Sequence, residues 1–171
     1  PDPFDARNHG THVAGTAAGY GVNSDGSTYG GPYNSGISFE GLKIGPGVAP
    51  KSEIYALKVF GREGSTHLTP LAVDWAVDPN GDGNPSDHLN VINLSLGSFF
   101  GRYDDASSVA CENAAEAGVV VVASAGNSGD TYYITGPPGV STRTVSVASS
   151  LDDGLIYDTL RVNSPAGIAG T

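Results

Sequence analysis

The strongest constraint on the fold is an alternation between short apolar runs and segments with helical periodicity. The plainest run is four consecutive valines at 119–122, which is apolar on both faces, as in a strand of a helix-covered parallel sheet. Strands are predicted at residues 54–60, 91–95, 119–124 and 145–148, and helices at residues 9–19, 68–77 and 105–117. This order predicts a three-layer α/β fold with a mostly parallel sheet flanked by helices and joined by right-handed crossovers.

Glycine-rich polar motifs come directly after three of the predicted strands. They are residues 61–64, Gly97 and the pair Gly126-Asn127. In a parallel sheet the carboxyl ends of the strands share one edge, and ligands bind beyond that edge. The sequence therefore predicts one candidate site where these three motifs meet.

The length of the chain, 171 residues, suits one globular domain or part of one. Residues 20–47 are rich in Gly, Ser, Asn and Tyr without periodicity, which predicts a long surface loop with a short hairpin. No apolar run is long enough to span a bilayer, so a membrane is not an expected partner.

Charge excludes one class of partner. Asp and Glu total 18 against 8 Lys and Arg, and the basic residues do not cluster, which argues against nucleic-acid binding. The acidity fits either solubility alone or a role in binding cations, and both interpretations stay open. Cys111 is the only cysteine, so neither an internal disulfide nor a cysteine-based metal site can form.

The most specific string is Asn-His-Gly-Thr-His-Val-Ala-Gly-Thr at residues 8–16. It resembles the histidine motif of the subtilisin-like serine proteases, the subtilases. The resemblance implies that His9 is the general base and His12 a structural neighbour, and histidine as a residue type suits proton transfer near neutral pH. A metal held by the two histidines needs further ligands, and His67 and His88 lie on other elements without ligand spacing.

A second matching segment is the valine strand together with the string Ala-Gly-Asn-Ser-Gly that follows it at residues 125–129. In the family this asparagine donates its side-chain amide to the oxyanion of the tetrahedral intermediate, which implies that role for Asn127. Without the resemblance, Asn-Ser-Gly is a frequent turn composition. A trypsin-like interpretation of Gly-Asn-Ser-Gly is disfavoured because that class is all-β, whereas this chain alternates strands with helices.

A third match, Val-Ile-Asn-Leu-Ser-Leu-Gly, resembles the family's substrate-binding strand. It implies that Ser95, Leu96 and Gly97 pair with one side of an extended polypeptide substrate. Gly64 and Ser65 would pair with the other side, and main-chain hydrogen bonds would supply the affinity. The resemblance covers residues 8–148, with residues 20–45 as an insertion.

Two family strings do not occur in the chain. In subtilases the catalytic aspartate lies at the end of a strand, in the string Asp-Thr-Gly or Asp-Ser-Gly. The catalytic serine lies at the start of a helix, in the string Gly-Thr-Ser, and this chain contains none of these strings. Asp5 lies only four residues before His9, and Asp158 lies on the wrong side in chain order. The resemblance therefore implies part of a serine endopeptidase that is inactive alone, with the missing segments of the same catalytic domain as partners.

The resemblance also carries expectations about domains and location. Residues 1–161 would be a partial subtilisin-like catalytic domain, and residues 162–171 would lead into an inserted protease-associated domain. A secreted or extracellular location follows from the habit of the family.

The segment at residues 78–87 places oxygen-bearing side chains at its first, third and fifth positions, Asp78, Asn80 and Asp82, with Gly83 at the sixth. This is the first half of a calcium loop, but Leu89 occupies the position of the closing acid, so an EF-hand is excluded. The alternative is a solvated turn. No cofactor is needed for the chemistry, and calcium would be structural. Two other classes stay open, a non-enzymatic calcium-dependent binding module and a degenerate protease.

Overall fold

The computed structural model describes residues 4–62 and 64–150 of the chain, so the predicted domain tail at 162–171 lies outside the described residues. The described elements, in chain order, are α1 (His9–Ala18), β1 (Val22–Asn23), β2 (Leu42–Ile44), α2 (Thr69–Val77), a 3-10 turn at Pro85–Asp87, β3 (Val91–Leu94), α3 (Ala106–Glu116), β4 (Val120–Ser124) and β5 (Val145–Val147).

A three-stranded parallel sheet with the order β3-β4-β5 forms the centre of the fold. Val91 lies opposite Val120 and Leu94 opposite Ala123, while Val122 of the central strand lies opposite Val145. Helix α3 connects β3 to β4, as a parallel pair requires. The predicted α/β class with a parallel sheet is confirmed.

The hydrophobic core lies between one face of the sheet and the helices α2 and α3. Val121 and Ala123 of β4 pack there against Val73 of α2 and against Cys111 and Ala114 of α3, and all five are buried. The opposite face is more open, since the Val120 side chain is 51% exposed. The expectation that the valine strand is covered on both faces therefore holds on only one face within the described residues.

Residues 54–60, predicted as a strand, form neither strand nor helix. Their apolar side chains Ile54, Tyr55 and Leu57 are 40–53% exposed. A strand exists only through hydrogen bonds to a neighbouring strand. None of the strands in the described part of the chain pairs with this segment, so the segment forms no strand despite its apolar pattern.

The long loop contains an antiparallel strand pair, but residues 24–41 connect its two strands, so it is not the short hairpin that was predicted. β1 and β2 pair antiparallel, with Val22 opposite Ile44. Between them, the Tyr33 hydroxyl donates to the Tyr29 carbonyl at 2.8 Å, and the two rings meet edge to face with centroids 5.5 Å apart. The loop is thus ordered by its own side chains.

Glu112 of α3 holds the turn that leads into β5. Its Oε1 accepts hydrogen bonds from Ser141 Oγ at 2.9 Å, from Thr142 Oγ1 at 2.7 Å and from the Arg143 amide at 3.1 Å, as well as from the Thr142 amide. Its Oε2 lies 3.4 Å from Arg143 Nε. The Thr142 hydroxyl contributes most to lowering the pKa of Glu112. This carboxylate ties the end of the sheet to the helix layer.

Candidate active site

His9 is the first residue of α1, and its imidazole faces solvent. The preceding residue, Asn8, has a φ of 63°, in the left-handed region, which turns the chain sharply into the helix. Among the described residues the imidazole makes no hydrogen bond. The structure thus presents His9 as an accessible side chain on the first helical turn, the place that the histidine motif predicts.

The other end of α1 is fastened to the segment that follows β2. The Val48 amide donates to the Thr16 carbonyl at 3.0 Å. At Gly47 a Cβ would lie 2.6 Å from the Gly15 carbonyl oxygen, too close for any side chain. Close backbone approach is therefore the reason for glycine at residue 47.

Asn127 lies just beyond the end of the central strand β4. The chain turns there at Gly126, whose φ of 101° favours glycine, and the Gly126 amide donates to Ser124 Oγ at 3.0 Å. The Asn127 side chain is exposed, and within the described ranges its carboxamide has no hydrogen-bond partner. An amide donor is therefore free at the carboxyl end of the sheet.

The residues after β3 reach the same edge of the sheet. Because Leu94 lies opposite Ala123, Ser95 and Asn127 both follow the paired part of their parallel strands. Ser95 Oγ accepts from Asn93 Nδ2 at 3.0 Å, and the half-buried Leu96 packs against the core. Two of the three predicted strand-end motifs thus come to one edge.

The loops beyond β3 and β4 are joined to each other, a contact that sequence reasoning did not anticipate. The Ser98 amide donates to the Pro137 carbonyl at 3.2 Å, and the Phe100 amide to the Ile134 carbonyl at 3.0 Å. At Gly136 a Cβ would lie 2.0 Å from the Ser98 carbonyl oxygen. The string Gly-Pro-Pro-Gly at 136–139 was the available signal for a close backbone approach.

The structure does not bring every predicted site residue together. Gly64 and Ser65 are exposed, and because residues 54–60 form no strand, they do not end a strand of this sheet. No hydrogen bond between described residues joins His9, Asn127 and Ser95. The described chain therefore holds the pieces of a site without direct contacts among them.

The predicted calcium loop is closed by its own hydrogen bonds. Asp78 Oδ1 accepts from the Gly81 amide at 2.9 Å, and its Oδ2 from the Gly83 amide at 2.8 Å. Asn80 Oδ1 accepts from the Asp82 amide at 2.8 Å. Asp78 Oδ1 also accepts from the Asp82 amide at 3.2 Å, so both of its lone pairs are used, whereas Asp78 Oδ2 and Asn80 Oδ1 each keep one.

Clustered metal ligands and membrane-spanning helices are both absent from the described part of the chain. In residues 4–62 and 64–150, no three or more His, Cys, Asp or Glu side chains are gathered as a metal site would need. None of the helices in those ranges has the length and apolar character that crossing a bilayer requires.

The fold is shared with a solved protease structure described as "S41 Psychrophilic Protease". The TM-score is 0.63 at 30% sequence identity, and the match covers 88% of this chain and 43% of the other. The class that the fold defines is thus that of subtilisin-like α/β proteases. The model of the subtilase family matches residues 1–164. This chain belongs to the subtilase family of serine proteases.

Curated relatives agree with this assignment. The chain is 35% identical to the serine protease AprX of Bacillus subtilis over 158 residues, which is 89% of this chain and 31% of the relative. It is also 35% identical to the minor extracellular protease Vpr of the same organism, covering 85% of this chain and 15% of Vpr. The chain thus spans less than a third of either relative.

Proposed function

We propose that this chain supplies the general base and an oxyanion donor of a serine endopeptidase that hydrolyses peptide bonds through an acyl-enzyme. His9 accepts the proton of the attacking serine and returns it to the leaving amine. Asn127 donates its amide to the oxyanion, an interaction stronger in the transition state than in the ground state. The observation that carries this proposal is the accessible His9 at the start of α1, inside a motif matched by the family.

The substrate is a polypeptide, as membership of a protease family implies. We propose that it lies extended beyond the carboxyl edge of the sheet, beside Ser95, Leu96 and Gly97. Gly64 and Ser65 border it on the other side. Support comes from the position of Ser95 directly after β3, at the edge where Asn127 also lies. Recognition would rest on main-chain hydrogen bonds.

The serine and the aspartate of the triad come from other segments of the same catalytic domain. Neither family string occurs in this sequence, and the chain spans only 31% of AprX. We also propose that the protein acts outside the cell, with support from its similarity to Vpr, a minor extracellular protease. A degenerate protease would differ by lacking the serine or the aspartate in those segments too.

The chain alone is expected to cleave nothing, because the imidazole has no catalytic serine beside it to activate as a nucleophile. The measurement is exposure of the purified chain to a serine-directed phosphonate probe and to a chromogenic peptide. The complete protein is the positive control and should be labelled and turn over substrate. Labelling of the chain alone that disappears in His9→Ala would show that a complete site is present, against the proposal.

We further propose that Asp78, Asn80 and Asp82 bind a structural Ca²⁺, on the basis of their alternate spacing ahead of Gly83. A cation that binds only the folded form raises Tm as the cation concentration increases. At 100 times Kd it raises the free energy of unfolding by about 2.7 kcal/mol. Titration with calcium should therefore raise the Tm of the complete protein. It should not raise the Tm of an Asp78→Ala, Asp82→Ala double variant. Equal response of both proteins would leave the loop as a turn and argue against a calcium-dependent module.

A further inference from the structure

The loop before His9 is organised around one carboxylate, that of Asp5. Oδ1 of Asp5 accepts from the amides of Arg7 and Asn8, each at 2.9 Å. Oδ2 accepts from the Thr11 amide at 2.8 Å and from Thr11 Oγ1 at 2.9 Å. Asp5 thus bonds to the chain on both sides of His9, once just before the helix and once in its first turn.

This carboxylate caps α1 from outside the helix. The first amides of a helix lack partners within it, and the residue before the helix usually supplies one through its side chain. Asn8 occupies that position and makes no such bond. Asp5 takes its place by accepting from the Thr11 amide, and a negative charge is favourable at a helix N-terminus.

The position of the His9 imidazole depends on the backbone that carries it. Among the described residues its ring makes no hydrogen bond that would hold it from another side. The backbone on either side is held at Asn8 and Thr11, and both bonds end on Asp5. Loss of this carboxylate would therefore release the turn that presents His9.

The same loop is tied to the segment that leads to Gly64. Arg7 Nε donates to the Arg62 carbonyl at 2.9 Å, and Arg7 Nη2 donates to the same oxygen. Lys58 Nζ donates to the Phe4 carbonyl at 2.5 Å. The loop thus connects the start of α1 to the segment proposed to border the substrate.

We propose that Asp5 is a positioning residue for His9, which fixes the general base relative to the substrate-binding segment. The proposal rests on the proposed function of His9. Asp5 acts through the backbone and not on the imidazole, because both of its oxygens are bonded to amides and a hydroxyl. It is therefore distinct from the triad aspartate, which acts on the base directly.

Asp5 stays ionised over the range in which a neutral protease works. Its hydrogen bonds, the Thr11 amide first and the Arg7 amide next, lower its pKa from 3.8 to about 2. Because the folded pKa is below the ordinary value, the contribution to stability is complete above about pH 4. It is lost as pH falls through about 2. The positioning is therefore constant near neutrality and fails only in strong acid.

The test compares Asp5→Asn with Asp25→Asn in the complete protein. Asp25 is a matched control, because its Oδ1 likewise accepts from the Ser27 amide at 2.9 Å and the Ser27 hydroxyl at 2.7 Å in a loop remote in sequence from His9. Displacement of a catalytic group by an ångström costs about 100-fold in rate. We expect Asp5→Asn to lower kcat about 10- to 100-fold with KM within about twofold, and Asp25→Asn to change neither beyond about twofold.

Hydrogen exchange of the Thr11 amide gives a readout independent of turnover. It should be faster in Asp5→Asn than in the parent and unchanged in Asp25→Asn. Parent kcat in a folded Asp5→Asn protein, with His9→Ala inactive, would overturn the positioning role alone. Activity retained by His9→Ala would instead overturn the proposed function.

Thr11 variants keep the proposal testable if Asp5→Asn does not fold. Thr11→Ser retains the hydroxyl that Asp5 accepts from, and Thr11→Val removes it with little change of shape. We expect kcat of Thr11→Val to fall below that of Thr11→Ser at equal KM. Equal kcat in the two folded variants would contradict the positioning role.

Discussion

Replacement of His9 by alanine in the complete protein is expected to lower kcat by about a million-fold. Without the imidazole no group accepts the proton of the serine, so the nucleophile stays protonated and the acyl-enzyme does not form. The size of the effect is the one known for the matching histidine of a subtilisin. The measurement is kcat and KM with a chromogenic peptide, together with Tm to show that the variant is folded.

His12→Ala is the matched control, since His12 lies one helical turn from His9 on the same helix. Because His12 is expected to be only a structural neighbour, its replacement should lower kcat far less than the replacement of His9. A variant set in which His12→Ala is inactive and His9→Ala retains turnover would show that His12, and not His9, is the base of the motif.

Replacement of Asn127 by alanine is expected to lower kcat about 100- to 1000-fold with little change in KM. In the proposed oxyanion role, the carboxamide beyond β4 stabilises the negative charge of the transition state, so its loss should slow the chemistry while contacts that bind the ground state remain. This size, too, is the one known for the matching asparagine of a subtilisin. Steady-state kinetics of the complete protein measure both constants.

Asn113→Ala provides a control of the same residue type. Asn113 is exposed on α3, and its side chain has no hydrogen-bond partner among the described residues, as at Asn127. Its replacement should leave kcat within about twofold of the parent. Equal turnover of the two variants would remove Asn127 from the oxyanion site.

Helices and paired strands were predictable because their signals are local. The run of valines at 119–122 and the alanine-rich stretch of α3 carry their periodicity within a few residues, and the observed ends differ from the predicted ones by at most one residue. Residues 54–60 carry the same kind of signal and form no strand. Strand formation also depends on a hydrogen-bonded neighbour, which no local pattern reports.

The places of the candidate site residues in the fold were predictable only where a motif is contiguous. His9 and Asn127 each lie in an uninterrupted string that resembles the family, and both lie where those strings place them on the helix start and the strand end. The positioning role proposed for Asp5 was not predicted, because it rests on hydrogen bonds to Arg7, Asn8 and Thr11. An Asp four residues ahead of His-Gly-Thr was the available signal.

The joined loops beyond β3 and β4 limit how this edge of the sheet can be diversified by directed evolution. A Cβ at Gly136 would lie 2.0 Å from the Ser98 carbonyl oxygen, and one at Gly101 would lie 1.8 Å from Pro137 Cδ. Randomised codons at those two glycines would therefore mostly yield misfolded clones. The neighbouring side chains Phe99, Phe100 and Tyr132 are exposed by 65–86%, so a library can vary them while the backbone junction stays intact.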